Sequence, residues 1–69
     1  MAKYCVNKQA QANGDHEVHN YNCNWLPNPE NREYLGDFES CHGAVKEAKN
    51  RGYSTADGCA FCCPACNTR

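Results

Sequence analysis

The sequence predicts a small α+β domain, in which a β-hairpin or small antiparallel sheet packs on one helix and the chain ends in a cysteine-rich knuckle. Three features of the sequence predict it: two strand-type runs around an Asn-Gly turn, one amphipathic stretch with clear end signals, and two adjoining CxxC units near the C-terminus. The 69 residues are expected to form a single domain, residues 1–69. At this length a hydrophobic core gives only marginal stability by itself.

Residues 3–8 and 16–21 are the two predicted strands, because each run combines Tyr and Val with alternating polar residues. Asn13-Gly14 lies between them and is a strong hairpin turn signal. The connection is longer than a two-residue turn. Either the strands continue through Gln9 to Gln11, or the turn is a wider loop.

Residues 24–33 are predicted to be an irregular loop, because they contain two prolines and three asparagines. Residues Tyr34 to Phe38 then return as a third short strand. Gly36 counts against that strand, since glycine weakens strand interiors.

A helix is predicted after Ser40, which is a favourable N-cap residue. Its apolar face has helical spacing and consists of Cys41, Ala44, Val45 and Ala48. Gly52 fits the C′ position that ends a helix. The small side chains on the apolar face predict close packing on the sheet, and a turn is predicted further on at Asp57-Gly58.

Seven cysteines in so short a chain indicate a disulfide scaffold if the protein is secreted and a metal site if it is intracellular. Residues 1–15 contain no apolar run that could serve as a signal-peptide core, and the cysteine count is odd. We therefore expect a cytoplasmic protein that binds metal. No stretch approaches the ~20 apolar residues of a membrane span. The net charge of −1 gives no global attraction to nucleic acid or to anionic membranes.

Cys59 and Cys62 form a CxxC knuckle, which brings two thiolates to one zinc ion at ~2.3 Å and supplies half of a tetrahedral site. The other half is predicted to be His19 and Cys23. Residues four apart in a strand are separated by ~13 Å, so the chain must curl after His19, and asparagines at 20, 22 and 24 tolerate such a turn. The sequence therefore predicts a zinc-stabilised α+β domain with a C-terminal zinc knuckle.

The order of these features resembles the zinc-binding module at the N-terminus of the Ada DNA-repair protein. HxxxC is followed by Asn31, by a Leu-Gly-x-Phe-x-Ser stretch at 35–40, by a helix with Ala44 and Ala48, and by Gly52-Tyr53 and CxxC. The same pattern looks like short Ada-like modules with a HxxxC half-site that occur as appendages in other bacterial proteins. The resemblance covers about residues 18–64.

The resemblance implies that four side chains are the zinc ligands: His19, Cys23, Cys59 and Cys62. It also implies that residues 40–51 form the module's helix. The first ligand of Ada is the cysteine that accepts a methyl group from a DNA phosphotriester. His19 stands in that place, and imidazole is not that nucleophile, so the repair activity is not implied. This near-neutral chain also largely lacks Ada's basic residues for contacting DNA.

Four cysteines remain outside the predicted site: Cys5, Cys41, Cys63 and Cys66. They form either a second Cys₄ zinc site or a set of buried and incidental thiols. Because the two CxxC units adjoin, Cys63 or Cys66 can also replace Cys62 as a ligand.

Four protein ligands leave zinc no open position, which predicts a structural ion and a protein that is not an enzyme. His16 and Glu17 belong to HEVH, which is not the HExxH pattern, and are expected to be a solvated strand start. His42 is expected to be exposed rather than a ligand, and Trp25 to be a core or loop anchor.

The leading function is a noncatalytic zinc-binding module that contacts nucleic acid or a protein. The alternative is a thiol-based redox sensor or a metal-handling protein that uses Cys63 and Cys66.

Overall fold

The computed structural model describes residues 1–68 and confirms the predicted α+β class, with a four-stranded mixed sheet and one helix in that range. The strands are β1 (Ala2–Asn7), β2 (His16–Asn20), β3 (Arg32–Phe38) and β4 (Ala56–Gly58), and the helix is α1 (Cys41–Asn50). The sheet order is β3-β1-β2-β4. Short 3-10 helices occupy Pro29–Asn31 and Pro64–Cys66.

The predicted hairpin is confirmed: β1 and β2 are antiparallel, with Val6 opposite Val18. The connection is the wider of the two loops considered, because β1 already ends at Asn7. Within this loop the Gly14 backbone N–H donates to the Gln11 carbonyl at 2.8 Å. Gly14 has a φ of 91°, a conformation that glycine adopts without steric cost.

The third predicted strand is also confirmed, although β3 begins at Arg32, within the stretch expected to be loop. It pairs with β1 in an antiparallel register that shifts between Tyr4 and Cys5. Gly36 lies opposite Tyr4 with a φ of 120°. The glycine that argued against the strand is therefore accommodated at an irregularity of the ladder, where glycine is favoured.

The predicted helix is confirmed together with both of its end signals. The Ser40 Oγ accepts the His42 backbone N–H at 3.3 Å, and Gly52 follows the helix with a φ of 102°. The buried face of α1 consists of Cys41, Ala44 and Ala48. These small side chains bring the helix close to the sheet residues of the core, which are Tyr4, Val6, Val18, Leu35 and Ala56.

The predicted turn at Asp57-Gly58 is wrong, because these residues belong to β4, which runs parallel to β2 with Val18 opposite Gly58. Asp57 does not need a turn to satisfy its carboxylate, which accepts the Thr68 hydroxyl at 2.7 Å. Gly58 is required for space: a Cβ there would lie 2.6 Å from the Cys66 Cβ. The C-terminal segment thus crosses β4 at close range.

The longest helix within residues 1–68 is α1, with 10 residues, and none in this range has the length and apolar character needed to cross a membrane.

Candidate metal centre

One group of ligand-type side chains converges where β2 ends: His19, Cys23, Cys59 and Cys62, whose ligand atoms all lie within 4.8 Å of one another. The His19 Nδ1 is 3.5 Å from the Cys23 Sγ and 3.9 Å from the Cys62 Sγ. The Cys23 and Cys59 sulfurs are 3.8 Å apart. The four residues predicted from sequence therefore lie together and can hold one metal ion.

The curl predicted after His19 is present and is built from asparagine. The Asn20 side-chain Oδ1 accepts the Asn22 backbone N–H at 2.9 Å, and the Asn20 carbonyl accepts the Cys23 N–H at 3.1 Å. Asparagine commonly closes turns of this kind through its own side chain. The turn returns Cys23 to the side of the His19 imidazole.

The second half of the site depends on β4. The Cys59 backbone N–H donates to the Val18 carbonyl at 2.9 Å, which fixes Cys59 next to His19 on the neighbouring strand. The chain then turns, with the Cys63 N–H donating to the Cys59 carbonyl at 2.8 Å. This turn brings Cys62 back toward the other three ligands.

Backbone N–H groups point at the sulfurs in the same way in both halves of the site. The Trp25 N–H donates to the Cys23 Sγ, and the Phe61 N–H donates to the Cys59 Sγ, each at 3.4 Å. In each case the donor is two residues after the cysteine. Each of these two sulfurs is therefore held in position by a backbone donor from its own turn.

The His19 ring is oriented with Nδ1 toward the three sulfurs and Nε2 toward Glu17, whose carboxylate oxygen lies 3.4 Å away. Burial lowers the pKa of His19, so the ring is neutral near pH 7 and the contact is not an ion pair. A proton on Nε2 leaves the Nδ1 lone pair free for a metal. Glu17 is therefore not the solvated strand residue that was expected, since its side chain is 23% exposed and faces His19.

Replacement of Glu17 by Ala is expected to lower metal affinity by about 10- to 100-fold, the usual effect of removing a carboxylate behind a histidine ligand. Glu17→Gln should lose less affinity, because its amide oxygen can still lie beside the His19 Nε2. Competition with a chromophoric chelator at pH 7 measures both variants. Glu39→Ala, at an exposed glutamate, is the control, and wild-type affinity in Glu17→Ala would contradict the orienting role.

Cys62, rather than Cys63 or Cys66, is the fourth member of the group. The Cys63 sulfur is 3.8 Å from that of Cys62, but Cys63 is 2% exposed and packs in the hydrophobic core. Burial raises the pKa of the Cys62 thiol, and it does the same for Cys63. Cys66 is committed elsewhere, because it forms a disulfide with Cys41.

The second Cys₄ site considered from sequence is not assembled. Cys5 lies opposite His19 on β2, and burial raises the pKa of its thiol to about 11. A buried thiol of this kind is chemically inert. Cys41 and Cys66 are joined in a disulfide, so one disulfide stands beside the group that can hold a metal. Within residues 1–68, the other group of ligand-type side chains is Cys41, His42 and Cys66.

Two exposed aromatic residues follow the ligand-type cysteines Cys23 and Cys59, and their rings stack on each other. Trp25 is 62% exposed and Phe61 is 70% exposed, and the rings stack with centroids 5.1 Å apart and an interplanar angle of 29°. Trp25 is thus not a core residue, and its ring joins the loop after Cys23 to the loop after Cys59. Their shared position, two residues after a ligand cysteine, is the sequence signal that marks the pair.

No protein-family model matches the chain, and comparisons with curated proteins and with solved structures find no match either.

Proposed function

We propose that the chain is a noncatalytic module whose fold is held by one zinc ion on His19, Cys23, Cys59 and Cys62. The observation that carries this proposal is the spacing of the ligand atoms. With Zn–S near 2.3 Å and Zn–N near 2.0–2.1 Å, tetrahedral zinc holds sulfurs about 3.8 Å apart and a sulfur and nitrogen about 3.5 Å apart. The Cys23–Cys59 and His19–Cys23 distances are 3.8 Å and 3.5 Å, and the His19–Cys62 distance is longer, at 3.9 Å.

The donor set supports zinc over the hard cations. Three thiols and one imidazole suit zinc, whereas magnesium and calcium take oxygen ligands. Four protein ligands fill the tetrahedron and leave no position for a reactive water, which is the usual arrangement of a structural site. His19 and Cys59 are each 1% exposed, so water has little access to an ion from their side of the site.

An Ada-like arrangement is part of the proposal. The ligand order and the helix α1 between the two half-sites are the features that support it. His19 occupies the place of the methyl-accepting cysteine, and a neutral imidazole bound to zinc cannot accept a methyl group in the way a thiolate does. The proposed function is therefore a scaffold without repair activity.

The contact surface we propose is the stacked Trp25–Phe61 pair. Exposed aromatic rings are frequent at the centres of protein interfaces, and they also stack on single-stranded bases. The net charge of −1 offers no general attraction for phosphate. The charge therefore favours a protein as the partner, and zinc would hold the two rings in place through Cys23 and Cys59.

The thiol-based alternative has support at a different pair of cysteines from the one predicted. Cys63 is buried and its thiol pKa is raised, which disfavours a reactive thiolate. The disulfide joins Cys41 to Cys66. Any redox chemistry of this chain is therefore centred on Cys41 and Cys66.

Native mass spectrometry of the purified protein tests the zinc site with the adjacent cysteines as matched variants. With the Cys41–Cys66 disulfide intact, wild type should retain one zinc ion after desalting, Cys62→Ser should lose it, and Cys63→Ser should keep it even if its core is less stable. Thiol alkylation in the folded state should spare Cys23, Cys59 and Cys62 until a chelator is added. If Cys62→Ser kept its zinc and Cys63→Ser lost it, the fourth ligand would be Cys63. If neither the wild type nor any variant held zinc, the site would be refuted.

A further inference from the structure

A second group of ligand-type side chains lies at the start of α1, separate from the four residues of the metal centre. The Cys41 and Cys66 sulfurs and one His42 ring nitrogen all lie within 4.8 Å of one another. Cys41 and His42 are the first two residues of α1, and Cys66 ends the 3-10 helix Pro64–Cys66. Two chain segments 25 positions apart meet here.

The three side chains differ in how far they are exposed to solvent. Cys41 and Cys66 are buried, with 8% and 7% exposure, whereas His42 is exposed. A surface cavity of about 280 Å³ is bounded by His42 and Cys66, with Asp57 and Thr68 also on its wall. Solvent and small ions can therefore reach the His42 side of the group.

We propose that Cys41, His42 and Cys66 form a second metal site that is closed by the disulfide and opened by its reduction. In the reduced state the two thiolates and the imidazole bind one thiophilic ion, Zn²⁺ in the first instance, and leave one coordination position facing the cavity. The inference does not rest on the proposed function, because the two sites share no residue.

The reduction step needs a dithiol reductant of the thioredoxin-like chemical class. The Cys41–Cys66 sulfur–sulfur bond breaks, and each sulfur gains one electron and one proton. The reductant gives up two electrons and two protons as its own two sulfurs join. Binding of the metal ion then displaces one proton from each cysteine thiol, so the metal occupies the place of the protons.

The disulfide and the metal-bound state exclude each other for a geometric reason. Disulfide sulfurs are about 2.05 Å apart, whereas two thiolates on tetrahedral zinc stand about 3.8 Å apart. The Cα atoms of Cys41 and Cys66 are 6.3 Å apart, so side-chain rotation alone can separate the sulfurs. His42 follows Cys41 directly, and one of its ring nitrogens already lies within 4.8 Å of both sulfurs.

The number of protein ligands determines how tightly this second site is expected to hold its metal ion. Three protein ligands and an open position are typical of exchangeable or reactive metal sites, in contrast to the closed four-ligand centre. The second ion should thus bind more weakly than the first. Such a site would let the chain take up or release a metal ion according to the thiol–disulfide balance.

Zn²⁺ titration of the full chain in its oxidised and phosphine-reduced states tests the proposal, with bound metal counted by chelator competition and native mass spectrometry. The oxidised protein should bind one equivalent and the reduced protein two, of which the second is weaker. His42→Ala should remove only the second equivalent, and it should fold normally because the side chain is exposed. Lys46→Ala, at an exposed lysine one turn further along α1, should keep both.

Equal metal counts in the oxidised and reduced wild type would overturn the gated site, as would a second equivalent that persists unchanged in reduced His42→Ala. The two proposals fail separately. If the oxidised protein binds no zinc while the reduced protein binds one ion that His42→Ala abolishes, then the structural zinc is refuted and the gated site stands.

Discussion

On the proposed zinc site, removal of the metal with a strong chelator is expected to unfold this chain at neutral pH. Structural zinc contributes an apparent ~10 to 16 kcal/mol in small peptides, whereas a whole domain is stable by only ~5 to 15 kcal/mol. The core here is thin: the fully buried apolar side chains of the sheet are Cys5, Val6 and Val18, and the buried residues of α1 are Cys41, Ala44 and Ala48. The free energy that zinc binding contributes to folding is therefore larger than the stability that this core provides without the metal.

Far-ultraviolet circular dichroism during a chelator titration measures this loss, and restoration of the signal by added Zn²⁺ shows that it is reversible. Cys59→Ser should be unfolded even with zinc present, because it leaves three ligands and removes a sulfur next to β4. Ala60→Ser, at the exposed neighbouring residue, is the control and should fold. A metal-free chain that melts at the same temperature as the loaded one would show that zinc does not hold the fold.

Gly58→Ala is expected to be the most damaging substitution outside the ligands. A Cβ at this position would lie 2.7 Å from the Cys63 carbonyl oxygen and 2.8 Å from the Cys66 carbonyl carbon. Both are backbone atoms, so the C-terminal segment must move as a unit. Overpacking of this kind costs about 1 to 3 kcal/mol. Since Cys59 follows directly, metal affinity should fall together with stability.

Gly14→Ala provides the matched control for this substitution. Nothing lies within 4 Å of a Cβ at Gly14, whose φ of 91° makes alanine strained by about 1 to 2 kcal/mol. Gly14 lies in the loop before β2, at the end of that strand opposite to His19, so its variant should lose stability and keep wild-type metal affinity. Chemical denaturation and zinc competition measure the two quantities separately, and unchanged zinc affinity in Gly58→Ala would contradict the close approach at β4.

The elements that could be predicted from sequence are those whose signals are local. Asn13-Gly14 marks a hairpin, and Ser40 with Gly52 marks the two ends of α1. Each of these residues determines the conformation or hydrogen bonding of the backbone within a few positions of itself. The HxxxC and CxxC spacings are local signals of the same kind, since each brings two ligands to one point. The structure places both half-sites together, as the sequence predicted.

The features that sequence reasoning missed depend on distant parts of the chain. Asp57-Gly58 has the composition of a turn, and only the approach of Cys66 shows why glycine is needed within β4. Glu17 looks like an ordinary exposed strand residue until the His19 ring is seen 3.4 Å from its carboxylate. The pairing of Cys41 with Cys66 cannot be read from spacing, because seven cysteines permit many connectivities.

X-ray absorption spectroscopy at the zinc edge tests the proposed site most directly, on the oxidised protein loaded with one equivalent so that the Cys41–Cys66 pair stays closed. The proposed ligands predict three sulfur neighbours at about 2.3 Å and one nitrogen neighbour at about 2.0 to 2.1 Å, with imidazole scattering from His19. Four sulfur neighbours without imidazole, or a shell dominated by oxygen, would contradict the site on His19, Cys23, Cys59 and Cys62.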